Sequence, residues 1–138
     1  MRKYTFIAIG GMLGAILRYF IKNIRLYDYS GAIPLNTLLI NVSGSFLLAL
    51  ILTLSFEIFE FNDDLRLGIA TGFFGAYTTF GALCKETVNI MNQGDYYSSI
   101  SYIGYSIIFG LMAVYFGVLL AGKVVSKFAH HHNDSDNV

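Results

Sequence analysis

The chain has 138 residues, a mass of 15.3 kDa, and nine basic against nine acidic residues, so its formal net charge is zero. Only 13% of residues are charged, against roughly 25% in an average soluble domain, while 55% are hydrophobic and mean hydropathy is +0.58. This excludes an ordinary soluble domain, which needs far more polar surface around one core, and it removes the basic face that nucleic-acid binding requires.

The first apolar segment runs from Tyr4 to Ile21 and is interrupted only by Arg18. Arg2 and Lys3 precede it as they would in a signal peptide, but no small-residue cleavage site follows, and it reads as a retained helix. The second runs from Pro34 to Ile58 and is uncharged until Glu57. Pro34 opens it where a missing N–H costs nothing. The third runs from Leu65 to Met91, and after Arg66 its next charge is Lys85. The fourth, Tyr96 to Gly122, is uncharged throughout. Each reaches the roughly 20 residues that cross a hydrocarbon core of about 30 Å. The pattern predicts an all-α integral membrane protein, with residues 1–122 as one four-helix transmembrane domain and 123–138 as a polar, solvated tail holding His130, His131 and His132.

With four spans, both termini and the 59–64 loop share one side of the membrane. Arg2, Lys3, Arg66, Lys123 and Lys127 fall on that side, and Arg18, Lys22, Arg25 and Lys85 on the other. So even a balance barely orients the chain by the positive-inside rule. It leaves two arrangements open: insertion both ways with antiparallel pairing, or one orientation decided by a single charge.

Polar groups at membrane depth are costly unless they face protein, water or an ion. Thr37, Asn41 and Ser45 recur every four residues and form one stripe on the second helix, with Gly44 beside it. Ser99, Tyr102 and Ser106 form a similar stripe on the fourth. Gly10 and Gly14 on the first helix make a small-residue face suited to close helix contact. The third segment reads Gly72-Phe73-Phe74-Gly75-Ala76-Tyr77-Thr78-Thr79-Phe80-Gly81. Its glycines and threonines predict a break near mid-membrane, where freed carbonyls suit a cation and a helix N-terminus suits an anion. The first two helices hold no embedded carboxylate for a proton relay, and Glu57 and Glu86 lie near span ends. The single cysteine, Cys84, allows neither an intrachain disulfide nor a CxxC metal pair, and all three histidines lie in the tail. A conduit fits this composition better than an enzyme.

Three runs resemble the Fluc fluoride channels of bacteria. Gly10-Gly11-Met12-Leu13-Gly14-Ala15-Ile16-Leu17-Arg18-Tyr19 is similar to that family's GGxxGAxxRY. Pro34 through Thr37-Leu38, with Asn41-Val42-Ser43-Gly44-Ser45-Phe46, is similar to its PxGTL…NxxGxF. Gly72-Phe73-Phe74-Gly75-Ala76-Tyr77-Thr78-Thr79-Phe80 is similar to its GFxGxxTTF. The resemblance implies an antiparallel, dual-topology dimer in the bacterial inner membrane that passes fluoride passively through two pores. It implies a structural sodium ion, Na+, at the dimer centre, held by the backbone carbonyls of Gly75 and Thr78. It implies a pore lined by Asn41, Thr79, Phe80, Leu83, Tyr102 and Ser106, with Arg18 at its aqueous entrance. Asn41 would donate a hydrogen bond to fluoride, and Phe80 would present its positive ring edge. The implied partners are fluoride, the lipid bilayer, and either a second copy of the chain or a homologous subunit.

The chain departs from the family pattern in places. Gly81, Ala82 and Leu83 stand where the family continues with Ser, Thr and Phe, and Asn36 and Ala49 replace usual glycines. These departures keep open a subunit of a heterodimeric channel, weakly conducting alone, and a non-conducting structural or regulatory subunit. A small multidrug exporter is the remaining alternative, and it would need a first-helix carboxylate that is absent here.

Overall fold

The computed structural model describes residues 2–24, 31–57 and 62–135, with side chains described as far as Lys127. Arg25 of the charge balance, Ile58 at the expected end of the second span, and the side chains of His130 to His132 lie outside the described residues. The described residues form helices and no strands. Helix α1 spans Arg2–Lys22 and α2 spans Leu35–Glu57. The third span is assembled from α3 (Asp63–Leu67), a π-helical stretch (Gly68–Phe74), α4 (Gly75–Tyr77) and α5 (Phe80–Asn92). Helix α6 spans Tyr96–Ser135. Among the described residues, four stretches are long and apolar enough to cross a membrane: Arg2–Lys22, Leu35–Glu57, Asp63–Asn92 and Tyr96–Lys127. The protein is a multi-pass membrane protein.

The boundaries follow local chemistry. Asn62 caps α3 by accepting from the Asp64 N–H at 2.9 Å. Asp95 caps α6: its Oδ1 accepts from the Ser98 N–H at 3.0 Å. Just before it, Gly94 turns the chain with φ of 84°, a conformation that glycine adopts without strain. Helix α6 continues past Gly122, the expected end of the fourth apolar span, because no proline or further glycine follows to stop it.

Two crossings organise the bundle: α1 packs along the first half of the third span, and α2 packs along α6. The α1 crossing depends on missing side chains. A Cβ on Gly14 would collide with the Phe73 carbonyl oxygen and approach the Tyr77 nitrogen to 3.1 Å, and one on Gly10 would collide with the Gly68 carbonyl oxygen. On the facing side, a Cβ on Gly72 would lie 2.6 Å from the Ile7 carbonyl oxygen. The small-residue face of α1 therefore meets glycines of the third span backbone to backbone. The core at this junction is Ile40, Phe74 and Tyr77, with Ile21, Leu48, Ile51, Ile69 and Phe73 packed against it. Most large side chains of α1 and α6 face outward, among them Met12, Ile16, Ile107 and Leu111. In hydrocarbon an outward apolar side chain carries no penalty.

Candidate functional site

The helical path of the third span stops between Tyr77 and Phe80. Thr78 adopts φ −72°, ψ 159° and Thr79 φ −152°, ψ 107°, both extended. What holds the break open is Asn41, on the facing side of α2. Its Oδ1 accepts from the Thr79 N–H at 2.8 Å, and its Nδ2 donates to the Thr79 carbonyl at 3.2 Å. One side-chain amide thus replaces both backbone partners of a single extended residue.

This exchange frees backbone carbonyls on the preceding turn. In a continuous helix the Thr79 N–H would bond the Gly75 carbonyl, and the Ala82 N–H would bond that of Thr78. Here Thr79 N–H is taken by Asn41, and Ala82 N–H donates to Thr79 Oγ1 at 3.2 Å as an N-cap. The break leaves four successive carbonyls, those of Gly75, Ala76, Tyr77 and Thr78, without the N–H donors a continuous helix would give them, and the pair expected to hold a cation, Gly75 and Thr78, is among them. Thr78 itself turns back: its N–H and Oγ1 both donate to the Phe74 carbonyl, at 3.0 and 2.8 Å. Ser43 on α2 shares a 2.8 Å hydrogen bond with the buried Tyr77 hydroxyl, so α2 grips the break on both sides.

Beyond the break, α5 starts with Thr79 as its cap and Phe80 as its first residue. Its first-turn N–H groups lack helical acceptors, which gives this end positive character at membrane depth. Asn41, Ser45, Leu48, Thr78, Thr79, Phe80 and Leu83 line an open cavity of about 250 Å³ at this end. Phe80 is 77% exposed, whereas Leu83 is half-buried. The cavity brings together four of the expected pore residues: Asn41, Thr79, Phe80 and Leu83.

Tyr102, Ser106 and Arg18 lie elsewhere. Tyr102 is fully buried, and its hydroxyl donates to Glu86 Oε2 at 2.9 Å. Ser106 donates back to the Tyr102 carbonyl at 2.8 Å, within α6. Arg18 is half-buried on α1, one turn before Lys22, and has no ion-pair partner among the described residues.

Glu86 is the residue that sequence reasoning placed at a span end and passed over. Its Oε1 accepts from Thr37 Oγ1 at 2.9 Å and from Lys22 Nζ at 3.1 Å, while Oε2 accepts from Tyr102. Lys22, Thr37 and Glu86 line a second open cavity, of about 370 Å³, with Pro34 and Asn36. The signal was present in spacing. Thr37 stands one turn before Asn41 on α2, and Glu86 stands two turns after Thr79 on α5, so the same two faces meet twice. Ser43 and Lys22 were likewise missed as contributors.

Among the described residues, no group of three His, Cys, Asp or Glu side chains is placed to hold a metal ion. Residues 5–118 match the sequence profile of a family described as "CrcB-like protein, Camphor Resistance (CrcB)". The chain is 37% identical over 125 residues to a fluoride-specific ion channel of Acidobacterium capsulatum, covering 90% of this chain and 99% of that one. It is 38% identical over 119 residues to a fluoride-specific ion channel of Thermosipho melanesiensis, covering 86% and 94%. It is 38% identical over 128 residues to a second such channel of Listeria innocua, covering 93% and 97%. With a profile match over most of its length and relatives this similar from end to end, the chain belongs to the CrcB-like family.

Proposed function

We propose that the chain forms a fluoride channel of the bacterial inner membrane, working as an antiparallel pair and releasing fluoride passively from the cytoplasm. The observation that carries this reading is the bidentate exchange between Asn41 and Thr79. It puts an amide donor, a helix N-terminus and an aromatic ring around one cavity at membrane depth. One Asn41 Nδ2–H is spent on Thr79, and the second is available to an anion. The exposed Phe80 ring can offer its positive edge, which attracts a desolvated anion without trapping it. No buried acid on α1 is available to drive transport by protonation, which favours a passive path. Hydrogen fluoride enters cells from acid surroundings and dissociates inside, so a passive exit for the anion suffices.

The diverted carbonyls of Gly75 and Thr78 fit a sodium ion if two chains meet at the break. One chain offers two such oxygens and an antiparallel partner would offer two more. A cation bound there supplies positive charge that fixes the two breaks to one another. The exposure of Phe80 and the openness of its cavity are consistent with a second chain completing the path.

The departures at Gly81, Ala82 and Leu83 support a second reading, in which a homologous subunit supplies the missing hydroxyls and ring. The test is anion efflux from liposomes containing the purified protein alone. Fluoride efflux with no chloride efflux supports the homodimeric channel. Silence that a second subunit relieves supports the heterodimer, and silence with any family partner contradicts the fluoride reading.

A further inference from the structure

The cavity at the end of α1 lies on the same α2–α5 seam as the Asn41–Thr79 cavity, one turn along each helix, and it holds a carboxylate. The Glu86 side chain is 18% exposed and lines this cavity, and a bare carboxylate there repels an approaching anion. The only cation on it among the described residues is Lys22, whose Nζ stands 3.1 Å from Oε1. The other groups facing Glu86 are the Thr37 hydroxyl from α2 and the Tyr102 hydroxyl from α6, while Lys85 adjoins it along α5.

Lys22 is held over Glu86 by a second device. Asn36 Nδ2 donates to the Lys22 carbonyl at 3.0 Å and to the Ile24 carbonyl at 2.9 Å. It thereby ties the open C-terminal end of α1 to the first turn of α2. A glycine at position 36 would have no side chain to make this clamp. The clamp and the ion pair share Lys22.

We propose that Lys22, set in place by Asn36, is a charge-compensating positioning residue of the conduction path, cancelling the field of Glu86 so that the anion can pass. This rests on the channel reading above. Removing the ammonium leaves a part-buried carboxylate as a like charge beside the path. Removing the carboxylate as well restores neutrality.

The test is fluoride efflux from liposomes with wild type, Lys22→Met, Lys22→Arg, Asn36→Gly and the double variant Lys22→Met/Glu86→Gln. Lys22→Met should cut flux at least about tenfold, since like-charge contacts carry a large penalty. Lys22→Arg should conduct well, and Asn36→Gly should fall between wild type and Lys22→Met. The double variant should conduct better than Lys22→Met alone, which a purely structural role for Lys22 does not produce. Should Lys22→Met conduct as wild type, or the double variant stay as low as Lys22→Met, the inference is overturned. A double-mutant cycle on thermal stability in detergent, with Lys22→Met, Glu86→Gln and the double variant, reads the pair without any transport. Lys22→Met and Glu86→Gln should be non-additive in melting midpoint if the two side chains form one pair, and additive effects overturn the pairing. Absence of fluoride flux in wild type would instead count against the channel reading, leaving the stability cycle to judge the pair.

Discussion

Asn41 makes two different demands on one side chain, and substitution separates them. Asn41→Leu keeps the volume and removes both hydrogen bonds to Thr79. The Thr79 N–H and carbonyl are then left without partners at membrane depth, at about 1–3 kcal/mol each. The N–H has an escape: it can return to the Gly75 carbonyl and close the break as ordinary helix. That closure takes the Gly75 carbonyl away from any cation. A fluoride ion at the cavity also loses an amide donor, worth roughly 1.5–3 kcal/mol to a charged group, or about tenfold to a hundredfold in rate. Asn41→Asp keeps the acceptor for the Thr79 N–H while replacing the donor with a negative charge. Liposome efflux and thermal stability with and without sodium should therefore part company. Asn41→Leu should lose both flux and the stabilisation by sodium, whereas Asn41→Asp should lose flux and keep the sodium response. If both variants assemble, conduct and respond to sodium as wild type does, Asn41 neither holds the break nor serves the anion.

Three further outcomes follow from other parts of the molecule. Phe80→Ile should abolish most fluoride flux because Leu83 offers no second ring. Leu83→Phe should raise flux where the larger side chain fits, overpacking costing about 1–3 kcal/mol; efflux rates of both variants decide this. Gly14→Ala should destabilise the bundle by about 1–3 kcal/mol, since its Cβ meets backbone of Phe73 and Tyr77. Gly122→Ala, with nothing within 4 Å, should leave the melting midpoint in detergent nearly unchanged. Hydrogen bonds from Ser98, side chain and backbone, hold the Asp95 carboxyl below its ordinary value. Its contribution to stability is therefore present above the ordinary carboxylate pKa and lost as pH falls through the lowered one. Asp95→Ala should flatten this acid limb, and denaturation followed against pH would reveal no change if the cap were idle.

The four spans were legible because hydropathy and length decide membrane crossing by themselves. The break was legible because Gly72 through Gly81 combines glycines with hydroxyl residues that compete for backbone hydrogen bonds. Asn41 stood out as an amide too costly to leave facing lipid. Glu86 was obscured by counting charges along the chain: its place depends on Thr37, Tyr102 and Lys22, which come from three other helices. The π-helical stretch at Gly68–Phe74 has no signature beyond glycines that equally suit close packing. Helix α6 outran its apolar span because charge at Lys123 marks where hydrocarbon ends, and ends no helix. Asn36 looked like a loss of the usual glycine, and only its bonds to Lys22 and Ile24 give it a task.

The central claim is that this chain conducts fluoride through the cavity beside the Asn41–Thr79 exchange. The most direct measurement is fluoride efflux from liposomes containing wild type or Asn41→Leu, with chloride efflux recorded in the same vesicles. Wild type alone should show fast, fluoride-only efflux, with a loss of at least about tenfold in Asn41→Leu. Equal fluoride flux in the two proteins, or chloride flux matching fluoride, would contradict it.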